Sequence, residues 1–307
     1  MKYYLLNFLL SISLGFLILS CSDLKTNIPV EPKVEVHKLG FTNPTSANFH
    51  GTYIMDNNWD MRQCENCHAA DFSGGTTGKS CLTCHTNPGG PTACNTCHGN
   101  FNDITRIAPP RSVNGDSLTT SVSVGAHTNH LYNSTIGQAV ACSSCHIVPQ
   151  SVYSPGHLTA TPDNIINFSG VAVTNIASNA SFNSNTATCS NTYCHGNFKY
   201  RKSSAASTNQ FAFTDSVMTG NNVSVNWTTV DGSQIKCGSC HDLPPKGHIA
   251  PIPLNECTTC HGNVVDENGN IINPSLHING TADVRGTVIS SAIREKYKKL
   301  INTKIKN

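Results

Sequence analysis

The pattern of hydrophobic and polar positions marks three segments of this chain. The first 20 residues form an apolar run that Ser interrupts and that is short for a membrane span. Residues 223–228 alternate Val or Trp with polar residues, which predicts a half-buried strand, and Phe-Ala-Phe at 211–213 is its predicted hairpin partner. Residues 288–307 carry Ile or Tyr at every fourth position between Arg and Lys, which predicts a basic amphipathic helix.

The two terminal segments suggest how the chain is placed. The first ends in Leu-Ile-Leu-Ser-Cys, which resembles the cleavage box of bacterial lipoproteins and implies that residues 1–20 are a signal peptide and that Cys21 carries lipid. An uncleaved membrane anchor is the alternative. Ser22 favours the outer membrane, on its periplasmic or cell-surface face, and residues 21–48 are the predicted tether. The basic tail is expected to dock on its own domain or to contact a membrane surface or a partner.

Composition changes this picture, because the chain lacks the residues of an aliphatic core. Apolar residues make up 38% and charged residues 12% of the 307 positions, both below typical usage. The chain also holds 15 Cys and 14 His. Something other than Leu and Val must therefore fill the interior. The formal charge of +2 does not suggest the strongly basic surface of a nucleic-acid binder.

Six segments share a Cys-x-x-Cys-His pattern, the attachment motif of c-type haem. A seventh segment, Thr-Cys-Ser-Asn-Thr-Tyr-Cys-His from residue 188, has four residues between its cysteines, and we expect the two extra residues to bulge outward. The seven cysteine pairs are Cys64 and Cys67, Cys81 and Cys84, Cys94 and Cys97, Cys142 and Cys145, Cys189 and Cys194, Cys237 and Cys240, and Cys257 and Cys260. The histidines that follow them are His68, His85, His98, His146, His195, His241 and His261.

The spacing of this motif has a chemical reason. Two thiols on one turn can each add to one of the two vinyl groups of haem, and the next His then becomes the proximal iron ligand. Each attached haem also supplies the apolar area that the sequence lacks. Zinc sites and disulfides are the alternatives for paired cysteines, but neither requires a His directly after every second Cys. The motifs therefore predict seven covalently bound haem c groups.

Seven histidines outside the motifs remain, one for each predicted haem. Methionines are too few to serve seven sites, so we expect two His ligands on every iron. Such irons have no open position, which favours electron transfer over catalysis at the haem. The candidate distal ligands are His37, His50, His127, His130, His157, His248 and His277. Of these, His127 and His130 are three residues apart, so one helix face could present them to two neighbouring haems.

Four segments resemble the CxxxxCH/CxxCH multihaem cytochromes of Geobacter-type metal-reducing bacteria. They read VGAHTNHL, VACSSCHIVP, TCSNTYCHG and CGSCHDLPPKGH. The resemblance implies a mostly irregular chain, with short α-helices and a few short β-hairpins, wrapped around a row of haems. It also implies an extracytoplasmic electron carrier, often a surface lipoprotein, that serves metal oxides, other cytochromes or outer-membrane conduit proteins.

The order of the motifs divides the predicted mature chain. Residues 49–150 form a predicted four-haem region, residues 151–287 a three-haem region with the CxxxxCH motif, and residues 288–307 the basic tail. We interpret the protein as a seven-haem electron carrier and not as an enzyme, although exposed haems could reduce metals non-specifically. A multihaem reductase, which generally needs one five-coordinate iron, and a subunit of a cytochrome filament are the alternatives.

Overall fold

The computed structural model describes residues 35–132, 134–159 and 165–284, together with residues 291, 292, 295–297 and 299. The described chain is mostly irregular, with short helices and two small antiparallel sheets, which confirms the predicted fold class. The predicted signal peptide, Cys21 and much of the tether lie outside the described residues. No helix in the described ranges is both long and apolar enough to cross a membrane.

Helices in the described ranges are short. The α-helices are α1 His50–Asp56, α2 Arg62–His68, α3 Cys94–Cys97, α4 His127–Leu131 and α5 Thr258–His261. Turns of 3-10 helix occupy Gly75–Thr77, Cys81–Thr83, Gly90–Thr92, Cys142–Ser144, Gly170–Val173, Tyr193–His195, Lys202–Ser204, Gln210–Ala212, Ser233–Ile235, Leu254–Glu256 and Pro274–Leu276. Helices of this length are not stable alone in water, so tertiary contacts must hold them.

The chain divides into two compact units, Met1–Asn57 and Asn58–Asn307. In the first unit Phe41 contacts two histidines. It lies 4.1 Å from the ring of His37 with the planes 10° apart, while the backbone carbonyl of Phe41 accepts a 3.0 Å hydrogen bond from Nδ1 of His50. The predicted division into regions of four and three haems concerns cofactor content and stays a prediction.

The strands of the second unit form two sheets. In the first, β1 (Ser181–Asn183) and β2 (Thr188–Ser190) make a hairpin, and β5 (Val225–Asn226) pairs with the other edge of β2. In the second, β3 (Lys199–Arg201) pairs with β4 (Val217–Thr219). All pairings are antiparallel.

The hairpin predicted between residues 211–213 and 223–228 is wrong. Val225 pairs with Cys189 of β2 instead, and the segment before it is bonded elsewhere. The backbone N–H groups of Asn221 and Val223 donate to the carbonyls of Cys240 and His195, at 2.9 Å each. Because these residues are already held against two haem motifs, they cannot close a tight turn back to Phe211.

The tail, residues 288–307, lies largely outside the described residues, but six helical positions in it are described. Tyr297 is only 3% exposed, and its hydroxyl donates to Oε2 of Glu256 at 2.8 Å. The Lys296 ammonium contacts the same carboxylate oxygen at 2.9 Å. This part of the tail therefore packs beside the motif that begins at Cys257.

Buried polar side chains supplement a small hydrophobic core in the second unit. Asn197 is 2% exposed and bonds three backbone groups. Its Nδ2 donates to the carbonyls of Ser178 at 2.8 Å and Asn191 at 2.6 Å, and its Oδ1 accepts from the N–H of Ala177 at 3.2 Å. One amide thus fixes the loop that follows β2.

We expect Asn197→Ala to lower the free energy of unfolding by about 2 kcal/mol, because three buried backbone groups lose their partner. The measurement is denaturant unfolding of the haem-loaded protein followed by far-ultraviolet circular dichroism. Asn185→Ala, on the exposed loop between β1 and β2, is the control and should change stability little. Equal losses for the two variants would contradict this role of Asn197.

Candidate haem-binding sites

Five of the six Cys-x-x-Cys-His motifs lie on short helical turns, and a recurring backbone bond closes several of them. In four motifs the N–H of the histidine donates to the carbonyl of the first cysteine. The bonds are His85 to Cys81 at 3.0 Å, His98 to Cys94 at 3.1 Å, His146 to Cys142 at 2.9 Å and His261 to Cys257 at 2.8 Å. Each bond closes one turn, and so keeps both thiols and the imidazole of one motif together.

The widely spaced motif is built differently. Cys189 belongs to strand β2, whereas Cys194 and His195 belong to a 3-10 turn. Asn191, with a φ of +60°, turns the chain between them. We expected the extra residues to bulge outward, but this is wrong, since Thr192 is only 5% exposed. The segment is buried because the carbonyls of Asn191 and Thr192 face inward, where they accept from Asn197 Nδ2 and from the N–H of Asn197.

The fourteen described cysteines are all free thiols. Burial raises the pKa of Cys145 to about 11 and the pKa values of Cys189 and Cys194 to about 12. These three thiols are therefore protonated at neutral pH and lie in apolar surroundings. Such surroundings suit the edge of a porphyrin, and addition of S–H across a vinyl group forms a thioether without a leaving group.

Four motif histidines each face a histidine from outside the motifs at nearly the same distance. Metal–imidazole bonds are about 2.0–2.1 Å long, so two imidazoles on opposite sides of one iron have ring centroids about 6 Å apart. The observed centroid separations are 6.0 Å for His98–His157, 6.1 Å for His127–His146, 6.2 Å for His130–His195 and 6.4 Å for His241–His277. The separations fit one iron between the rings of each pair.

These imidazoles lie in pairs and not in larger clusters. Within the described part of the chain, no group of three or more His, Cys, Asp or Glu side chains gathers as a metal site. A pair of imidazoles is the protein ligand set that a porphyrin iron needs, because the porphyrin supplies the other four nitrogens.

Backbone carbonyls orient these imidazoles. Nδ1 of His127 bonds the Val124 carbonyl at 2.7 Å, and Nδ1 of His157 bonds the Val152 carbonyl at 2.8 Å. The same kind of bond joins His130 to Ala126, His146 to Ile165, His241 to Asp242 and His277 to Ile136. A ring that donates from Nδ1 leaves the lone pair of Nε2 for a metal, as ligating histidines generally do.

Burial keeps several of these imidazoles neutral. It lowers the pKa values of His127 and His195 to about 4, and it also lowers those of His98, His146 and His277. The neutral ring is the form that binds metals.

The remaining predicted ligands have similar local bonds. Nδ1 of His68, His248 and His261 lies 2.8, 2.8 and 2.7 Å from the carbonyls of Lys79, Ile249 and Asp283. Burial, with a smaller contribution from His261, lowers the pKa of His248. His85 packs edge-on to Phe101, with ring centroids 5.4 Å apart. His37 and His50 belong to the first unit, and their haem partners stay predictions.

A cavity of about 3180 Å³ lies within the second unit. Pockets for single ligands are roughly 300–1,000 Å³, so this volume can hold several large groups. The motif cysteines that line it are Cys94, Cys97, Cys142, Cys145, Cys189, Cys194 and Cys240, and the histidines are His85, His98, His127, His130, His146, His157 and His195. The third, fourth and fifth motifs thus share one continuous space.

A mostly irregular chain with repeated Cys-x-x-Cys-His turns and facing pairs of imidazoles fits the class of multihaem c-type cytochromes. The comparisons support this class. Residues 188–241 match the model of the family described as Geobacter CxxxxCH...CXXCH motif, which confirms the resemblance predicted from the sequence. The motif implies covalently bound c-type haem and indicates electron transfer. Comparison with curated proteins and with solved structures gave no match.

We expect His157→Ala to convert one haem from low-spin to high-spin, because an iron ligated by His98 and His157 would lose its sixth ligand. Electron paramagnetic resonance of the ferric protein measures this change, and the haem content should stay the same. Ser151→Ala, in the same loop, is the matched control and should leave the iron signals unchanged. A fully low-spin spectrum of His157→Ala would contradict the pairing of His98 with His157.

Proposed function

We propose that the protein is a seven-haem c-type cytochrome that carries electrons through closely spaced haems, each ligated by two histidines. The observation that carries this proposal is the set of four imidazole pairs with centroids 6.0–6.4 Å apart. Each pair joins a motif histidine to a distal candidate identified in the sequence. Two protein ligands on each iron leave no position for a substrate, so the geometry favours electron transfer over catalysis.

Helix α4 supports close spacing of two of these haems. His127 faces His146 and His130 faces His195, so two positions of one helix, three residues apart, serve two different sites. The rise between them is about 4.5 Å, at 1.5 Å per residue. Two haems ligated from one such helix must lie side by side, which suits rapid electron transfer from one iron to the next.

The count of seven follows from pairing every motif with a distal histidine. Beyond the four facing pairs, we assign His248 to the motif of His261, since the pKa of His248 is lowered by burial and, to a smaller extent, by His261. His37 and His50 are the other two predicted distal ligands, and their motif partners stay predictions. The fourteen free thiols supply two thioethers for each of seven haems.

We expect mass spectrometry of the intact protein, produced in a host with a cytochrome c maturation system, to find seven covalently bound haems. The double variant Cys189→Ala with Cys194→Ala should carry six, because the widely spaced motif loses both thioethers. Ser190→Ala changes the same motif without touching a thiol and should retain seven. Six haems in the unsubstituted protein, with Cys189 free, would refute the seventh site.

We further propose that the protein is an outer-membrane lipoprotein, on the periplasmic or cell-surface face. Extracellular acceptors, such as metal oxides, partner cytochromes or outer-membrane conduit proteins, would take its electrons. Support comes from the Leu-Ile-Leu-Ser-Cys sequence that ends at Cys21 and from the match to the motif family. A reductase or a filament subunit is not favoured by any specific observation on the described residues.

Replacement of Cys21 tests the anchoring. We expect the native protein to enter the detergent phase in a detergent partition experiment, whereas Cys21→Ala should remain uncleaved at the lipoprotein site and carry no lipid. Mass spectrometry of the N-terminal peptide is the direct measurement, and Ser22→Ala serves as the control. A native protein with an unmodified thiol at Cys21 would rule out this lipidation.

A further inference from the structure

Trp227 lies between the two histidines of helix α4. Its ring centroid is 4.8 Å from that of His127, with the planes at 87°, and 5.5 Å from that of His130, with the planes at 35°. One indole therefore meets His127 edge to face and lies tilted against His130. It contacts a distal ligand candidate of two different haem sites.

The indole is held from two sides. Its Nε1–H donates to the carbonyl of Val122 at 2.8 Å, and its backbone N–H donates to the carbonyl of Ala187 at 2.6 Å. It directly follows β5, so the three-stranded sheet fixes its backbone. Gly125, with a φ of +43°, makes room for it, since a Cβ at that position would collide with the indole. This close approach requires glycine just before α4.

The two imidazole pairs that Trp227 touches differ in orientation. The planes of His127 and His146 are 14° apart, whereas those of His130 and His195 are 68° apart. An imidazole bound to iron through Nε2 retains one soft rotation, about the iron–nitrogen bond. The angle between the two ligand planes sets the splitting of the iron d orbitals, and hence the paramagnetic signal of the ferric haem.

We propose that Trp227 is a positioning residue that sets the ring orientations of His127 and His130, and so keeps one haem with nearly parallel ligand planes beside one with steeply crossed planes. This inference rests on the proposed function, since it assumes iron between the rings of these pairs. The Nδ1 bonds to Val124 and Ala126 hold one corner of each imidazole. Contact with the indole restricts the rotation that these bonds leave.

Electron paramagnetic resonance of Trp227→Ala at low temperature tests the proposal. We expect two ferric signals to shift, one from a haem with nearly parallel planes and one from a haem with crossed planes, at unchanged haem content. Trp227→Phe retains an aromatic ring without the indole N–H and should shift the same two signals less. If Trp227→Ala fails to accumulate, the Phe variant still provides the comparison.

Met218→Ala is the matched control, because Met218 is a buried residue of β4 in the same unit. It should lower stability without moving these two signals. If Trp227→Ala loses stability but leaves every signal unchanged, the indole only packs, and the inference is overturned. A haem count below seven, or high-spin iron in the unsubstituted protein, would instead count against the proposed function.

Discussion

Pairing of histidines across a gap of about 6 Å is the constraint on which the rest of the described structure depends. Each pair joins segments that lie apart in sequence, as His130 and His195 do. Regular secondary structure does not join these segments, since the sheets involve only strands of two or three residues. The positions at which the imidazoles meet therefore constrain the path of the chain, and backbone carbonyls orient six of the eight paired rings.

Backbone contacts join the CxxxxCH motif to the CxxCH motif that follows it, over residues 188–241. Gly196, directly after His195, has a φ of +89° and lies so close to the carbonyl of Cys240 that a Cβ would collide with it. Asn222 donates from its N–H to the carbonyl of Gly196, at 3.1 Å. The two attachment motifs are thus in backbone contact, although the β3–β4 pair lies between them in sequence. Residues far apart in sequence are adjacent where the chemistry occurs.

The sequence predicted many of the candidate haem-site residues but few of the tertiary contacts that bring them together. Thioether chemistry is local, so the motif cysteines and proximal histidines could be identified from spacing alone. The distal histidine that belongs to each motif could not be assigned from the sequence, because His241 and His277 come together only through the fold. The predicted partner of Val225 failed for the same reason: alternation reports a half-buried strand but not which neighbour covers it. No signal in the sequence pointed to Trp227 as a contact of two histidines; its alternation with polar residues indicated only a buried face.

Helix α4 connects ligation to folding. Five residues are too few for a helix that is stable by itself. The loop before it is anchored by Val124, which is 1% exposed, and by the indole of Trp227. Bonds from His127 and His130 to two different irons would further stabilise the helix. If either bond were missing, the helix would lose part of its support and would position the other imidazole less well. Under the proposed ligation, the two haem sites would be coupled through one short helix, so that ligation at one would stabilise the geometry of the next.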